Sequence, residues 1–174
     1  MGLLRRWFGK KYIPPLDSSD GTDDVSLGSL QPETGIYTGT STIVVYDLGG
    51  LKHRIDDDVD WWADPVEELI EIRRRNLLIV GLGSDGFYDL DIVEGFDLAQ
   101  DYSLSFPSGR IFVGPGEMLT GGGDEPEPRY GGMFLDFEPG DYTVGIERSD
   151  DRLRFSFTRS LAFENNVSEP ISIF

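Results

Sequence analysis

The densest group of chemistry-bearing residues is Asp56-Asp57-Asp58, then Asp60, followed directly by Trp61 and Trp62. Carboxylates this close have two uses: they hold a hard divalent cation through oxygen ligands, or they offer an acid-plus-aromatic surface to a basic protein. Consecutive side chains on a strand or helix point in different directions, so one or both tryptophans are also expected in a core. A second acidic group, Asp124, Glu125 and Glu127, lies in the run Gly121-Gly122-Gly123-Asp124-Glu125-Pro126-Glu127-Pro128, whose composition is that of a loop. The expected partner-binding residues are therefore Asp56, Asp57, Asp58, Asp60, Trp61, Asp124, Glu125 and Glu127.

Other chemistries find less support. His53 is the one imidazole, set between Lys52 and Arg54, and no G-x-S-x-G nucleophile elbow occurs. With no cysteine, disulfides, thiolate nucleophiles and Cys-ligated zinc are excluded. Gly81-Leu82-Gly83-Ser84-Asp85-Gly86 has the G-x-G-x-x-G spacing, which binds a pyrophosphate only where a helix opens behind it. A strand-like run, Phe87-Tyr88-Asp89-Leu90-Asp91-Ile92-Val93, follows instead, so the glycines read as a turn. Asp17, Asp20, Asp23 and Asp24 miss the calcium-loop spacing. With 32 acids in the chain, a close carboxylate pair carries no information about hydrolysis. No catalytic residue, metal or cofactor is expected.

The elements that would position these residues are mostly strands. Thr42-Ile43-Val44-Val45-Tyr46-Asp47-Leu48 is β-branched, ends at Gly49-Gly50 and reads as one arm of a hairpin with Leu51-Lys52-His53-Arg54-Ile55. One helix is expected over about residues 64–75. Asp64 stands at its N-cap, Pro65 at its first position, Glu67 and Glu68 in its first turn, and Arg73-Arg74-Arg75 near its C-terminal dipole. Trp62, Val66, Leu69, Ile70 and Arg73 recur as one stripe. Leu77-Leu78-Ile79-Val80 reads as a buried strand. Tyr102-Ser103-Leu104-Ser105-Phe106 is expected to pair with Arg110-Ile111-Phe112-Val113 across Pro107-Ser108-Gly109. Further strands follow at 133–137, 142–147 and 153–157, the last placing Leu153, Phe155 and Phe157 on one face. The fold class is mainly β: an antiparallel sandwich or open barrel with one helix packed on it.

Organisation follows composition. Residues 1–11 carry Arg5, Arg6, Lys10 and Lys11 beside Leu3, Leu4, Trp7 and Phe8, a basic amphipathic leader of one or two helical turns. Residues 12–34 are an acidic linker rich in Pro, Gly and Ser, and residues 35–174 form a single β-rich domain. The 174 residues hold 15 Lys+Arg against 32 Asp+Glu, a net charge of −17. Four of the 15 cations sit in the acid-free leader, so the remainder is more acidic still. Such a field repels nucleic acid and anionic lipid and attracts basic proteins. No signal-peptide pattern or run of about 20 apolar residues occurs, so a cytoplasmic protein is expected.

Ser105-Phe106-Pro107-Ser108-Gly109-Arg110-Ile111-Phe112-Val113-Gly114-Pro115, followed by Phe137-Glu138-Pro139-Gly140-Asp141-Tyr142-Thr143-Val144, resembles a pattern of uncharacterised bacterial β-rich proteins. In those, a PSGR strand precedes a PGxYxV strand, and some are similar to immunity proteins of bacterial toxin systems. The resemblance implies a β-rich, bacterial, cytoplasmic and non-enzymatic protein, with no site residues carried over. Together with the charge, it implies an acidic protein-binding module, an immunity or inhibitor protein that neutralises a basic partner such as a toxin. The alternatives are a carboxylate- or metal-dependent enzyme or small-ligand binder, and an assembly subunit docked through residues 1–11.

Overall fold

The apolar β-branched runs at 42–47 and 77–80 are buried almost without alternation. That pattern belongs to central strands covered on both faces. The computed structural model describes residues 35–94, 98, 100–127, 129 and 131–174. The expected leader at 1–11 and linker at 12–34 lie outside the described residues, as does Pro128. Ten strands are described: β1 (Gly35–Thr38), β2 (Thr42–Asp47), β3 (Leu77–Gly81), β4 (Gly86–Glu94), β5 (Gln100–Phe106), β6 (Arg110–Pro115), β7 (Met133–Asp136), β8 (Gly140–Ser149), β9 (Arg152–Arg159) and β10 (Ile171–Ser172). One helix, α1 (Pro65–Arg73), stands between β2 and β3 in sequence.

The strands form two five-stranded sheets, in the orders β1-β4-β9-β8-β5 and β10-β3-β2-β6-β7. One hydrophobic core joins them, with Phe106, Phe155 and Val144 from the first sheet and Tyr46, Phe112 and Leu78 from the second. The fold is thus a β-rich sandwich with a single helix. It departs from a purely antiparallel one, because β4 pairs parallel with β9 and β10 parallel with β3. The β8–β9 hairpin stands where the alternation put it, with Leu153, Phe155 and Phe157 buried in register opposite Arg148, Ile146 and Val144.

Two expected hairpins are corrected. Leu51-Lys52-His53-Arg54-Ile55 does not pair with β2; Lys52–Arg54 is a 3-10 turn, and β2 lies between β3 and β6. The cause is local. The Asp47 carboxylate accepts from the Gly49 and Gly50 amides at 2.7 and 3.2 Å, which ends the strand in a tight turn. Nor do β5 and β6 pair: β5 joins β8 and β6 joins β2 and β7, so 107–109 carries the chain from one sheet to the other. The same Asp47 holds that crossing, accepting from the Ser108 and Gly109 amides and the Ser108 hydroxyl at 2.7–3.0 Å. Gly109 has φ +75°, and a Cβ there would stand 2.2 Å from the Phe137 carbonyl oxygen, so only glycine fits.

The helix begins as its residues dictate. Asp64 Oδ1 accepts from the Val66 amide at 2.8 Å, and Pro65 takes the first position. It ends earlier than about residue 75, in a Schellman motif with Arg75 left-handed at φ +64°. There the Asn76 amide donates to the Glu71 carbonyl and the Arg75 amide to the Ile72 carbonyl, both at 3.0 Å. The expected stripe is corrected too. Val66 is 64% exposed and Arg73 is exposed, while α1 turns Glu68, Glu71 and Ile72 inward.

Candidate functional site

The two acidic segments, some sixty residues apart in sequence, are joined by backbone. The Gly122 amide donates to the Asp57 carbonyl at 2.8 Å and the Gly123 amide to the Ile55 carbonyl at 2.7 Å. Gly121 and Asp124 close the turn between them with reciprocal bonds of 3.2 and 3.0 Å. Gly122 and Gly123 take φ +62° and +87°, which explains the glycine run: two successive left-handed positions place one acidic loop against the other. Asp56, Asp58 and Asp60 are exposed from the first loop and Asp124, Glu125 and Glu127 from the second; Asp57 is half-buried. Val59, 53% exposed, stands among them. Below the second loop lies a shallow groove of ≈ 450 Å³ lined by Val59, Glu117, Leu119, Asp124, Glu125 and Arg129, among others.

Trp61 is not on this face. It is 7% exposed, its indole N–H donates to the Thr120 carbonyl at 2.9 Å, and the Arg54 guanidinium lies 4.4 Å over its ring. Trp61 thus supports the face from within and is withdrawn from the expected docking residues. Trp62, half-buried, packs against the core from the other side of the same 3-10 turn, Trp61–Ala63.

Behind the acidic loops is a buried ion cluster that the sequence reading missed. Arg54 donates to Asp57 at 2.9 Å, to Glu67 at 2.8 Å and twice to Glu71, at 2.7 and 3.1 Å. Glu71 is fully buried and also accepts from Asn76 at 2.7 Å, with His53 Nε2 at 3.1 Å. Burial opposes the Glu71 charge, but the hydrogen bonds from Asn76, His53 and Arg54 outweigh it and hold its carboxyl below the usual range. Burial likewise works against the charge on Arg54, and Asp57, Glu71 and Glu67 more than offset it. Arg54, the cation bonded to Asp57, is therefore committed inward. An Arg at one end of an acidic run and a Glu on the next helix were the available signal, but their spacing of 17 residues has no regular period to read.

The remaining candidates disperse. His53 sits on the Lys52–Arg54 turn with its carboxylate partner Glu71. The arginine cluster splits three ways: Arg73 to the Val167 carbonyl, Arg74 to Glu71 and Arg75 to Asp141. Gly81-Leu82-Gly83-Ser84-Asp85-Gly86 links β3 to β4, so a strand follows it, as read. Among the described residues, no three His, Asp or Glu side chains gather to hold a metal ion, and no helix is long and apolar enough to cross a membrane.

Over residues 30–173 the chain matches the family described as "Family of unknown function (DUF6386)" and belongs to it. No curated protein matches. A solved structure titled "Crocagin biosynthetic gene J" is similar at 14% identity, over 73% of this chain and 94% of that one, with a TM-score of 0.46.

Proposed function

We propose that this member of a family of unknown function is an acidic protein-binding module whose 55–60 and 121–127 loops capture a basic partner. The observation that carries the reading is the junction of those loops through the Asp57 and Ile55 carbonyls, which gathers exposed carboxylates from two distant segments around Val59. Carboxylates on a rim steer a cationic partner and speed encounter, and an exposed apolar residue among them supplies contact once docked. In its finer form the partner is a basic toxin, the action is steric occlusion, no bond is made or broken, and the setting is a bacterial cytoplasm.

The face is tested by titrating the isotope-labelled chain with poly-L-lysine and following backbone amides by NMR. Shifts concentrated at 56–60 and 121–127, and at least tenfold weaker binding between 50 and 300 mM salt, are the expected result. Shifts spread equally over the other acidic turns, at Asp85, Asp150 and Asp151, would overturn it. The finer form is tested by co-expressing the chain with basic toxins encoded beside it and scoring survival; Asp58→Asn/Glu125→Gln should abolish protection.

A further inference from the structure

Glu68 differs from the other buried charges described. Asp47, Arg54 and Glu71 are each held by several hydrogen bonds. Glu68 is 9% exposed on the inward side of α1, and no hydrogen bond or ion pair within the described residues reaches its carboxylate. It is not sealed off, however. Every fully enclosed side-chain polar atom described has a partner, so the unpartnered Glu68 oxygens are not fully enclosed. Glu68 lines a pocket of ≈ 300 Å³, at the low end of ligand-site volumes, together with Thr42, Trp62, Ile79, Pro170 and Ile171, among others. Glu68 is the one charged group in the lining.

An unpaired carboxylate in such a place is costly to ionise. Burial pushes the Glu68 carboxyl from its usual 4.5 up to about 7. A cation of matching shape would remove that cost. Apart from Glu68, Thr42 and Ser172 the walls are apolar and include the Trp62 ring, which suits a methylene stem, while one carboxylate suits a compact point charge better than a guanidinium that seeks paired oxygens. Trp62 lines this pocket while its neighbour Trp61 supports the acidic face, so one 3-10 turn borders both. We propose that the Glu68 pocket takes the alkylammonium end of a lysine side chain, carried by the partner that the acidic face captures. The source of the lysine rests on the reading of that face; the chemistry of the pocket does not.

The elements packed around Glu68 bring no competing charge. On α1, Glu67 and Glu71 are bound to Arg54 and Asp64 caps the Val66 amide. The Trp61–Ala63 turn, β3 and β10 carry no ionisable side chain; β2, which lines the pocket through Thr42, carries Tyr46, bonded to Thr120, and Asp47, bonded at the 107–109 crossing; and Glu169 beside Pro170 is exposed.

The test titrates the full chain with n-butylammonium and with n-butanol, its neutral counterpart, at pH 6 and pH 8, following the Trp62 indole and Ile79 signals by NMR. Butylammonium should bind about tenfold more tightly at pH 8 than at pH 6, as Glu68 ionises. Butanol should show no such change. Glu68→Gln, which keeps shape without charge, should lose the butylammonium response; the pH comparison in the unsubstituted chain stands even if that variant folds poorly. Equal binding of butanol, or binding independent of pH, would overturn the proposal. If butylammonium fails while poly-L-lysine still shifts 56–60 and 121–127, the pocket falls and the acidic face stands. If butylammonium enters but poly-L-lysine leaves those loops unmoved, the pocket's chemistry is supported and the lysine's assignment to a partner held there is overturned.

Discussion

Two glutamates one turn apart on α1 respond to pH in opposite directions. Glu71 is held ionised, so its contribution to stability is present above the ordinary carboxylate range and is lost as pH falls through its lowered pKa. Glu68 keeps a proton in the folded state that the unfolded chain releases near 4.5. Its advantage to folding is therefore complete below pH 4.5 and is lost as pH rises to about 7. Glu68→Gln should stabilise the protein by about 1–3 kcal/mol at pH 8 and hardly at all at pH 4, measured by urea unfolding at both. Arg54→Met should cost about 3–5 kcal/mol, since it strands Glu71 without its main partner. Adding Glu71→Gln to Arg54→Met should recover part of that loss, which a double-mutant cycle measures. Neither glutamate's place was legible in the sequence. A helix-face count scores charged residues as solvated, and the guanidinium that makes Glu71 tolerable lies on a turn read as strand.

The elements divide by whether their cause is local. Asp64-Pro65 fixes the start of α1, and the 149–151 turn fixes the β8–β9 hairpin, because each rests on contacts between near neighbours in sequence. The crossing at 107–109 resembled a hairpin turn because a Pro-Ser-Gly run ends a strand equally well whether the next strand returns beside it or leaves for another sheet. What decides is Asp47, about sixty residues earlier, whose carboxylate takes three donors there. Gly109→Ala should therefore cost about 2–4 kcal/mol in thermal or urea unfolding, through the strained left-handed backbone and the clash with the Phe137 carbonyl. The two acidic segments were each legible as loops. Their meeting was not, because it is made of backbone bonds that no side-chain pattern announces.

At the scale of the whole molecule, a net charge of −17 works against the compact state. Added salt screens that repulsion, so the melting temperature should rise between 20 and 300 mM NaCl while capture of a cationic partner weakens. A melting temperature that fell with salt would mean that attractive ion pairs, such as those of Arg54, outweigh the repulsion. Charge was the most legible property of the chain and the least specific, since it predicts attraction to cations without saying where on the surface.

The parallel pairings have a consequence for how the chain is made. β4 needs β9 beside it, and β3 needs β10, so each sheet receives a strand from the last quarter of the sequence. A ribosome delivering this polypeptide from its amino end exposes β2, β3 and β4 long before those neighbours emerge. Neither layer can be completed until β9 and β10 have emerged, and the half-made layers carry open edges in the meantime. In stalled nascent chains extended by an unstructured linker after Phe174, protease resistance should accordingly appear abruptly once the linker is long enough to carry Ile171 out of the exit tunnel.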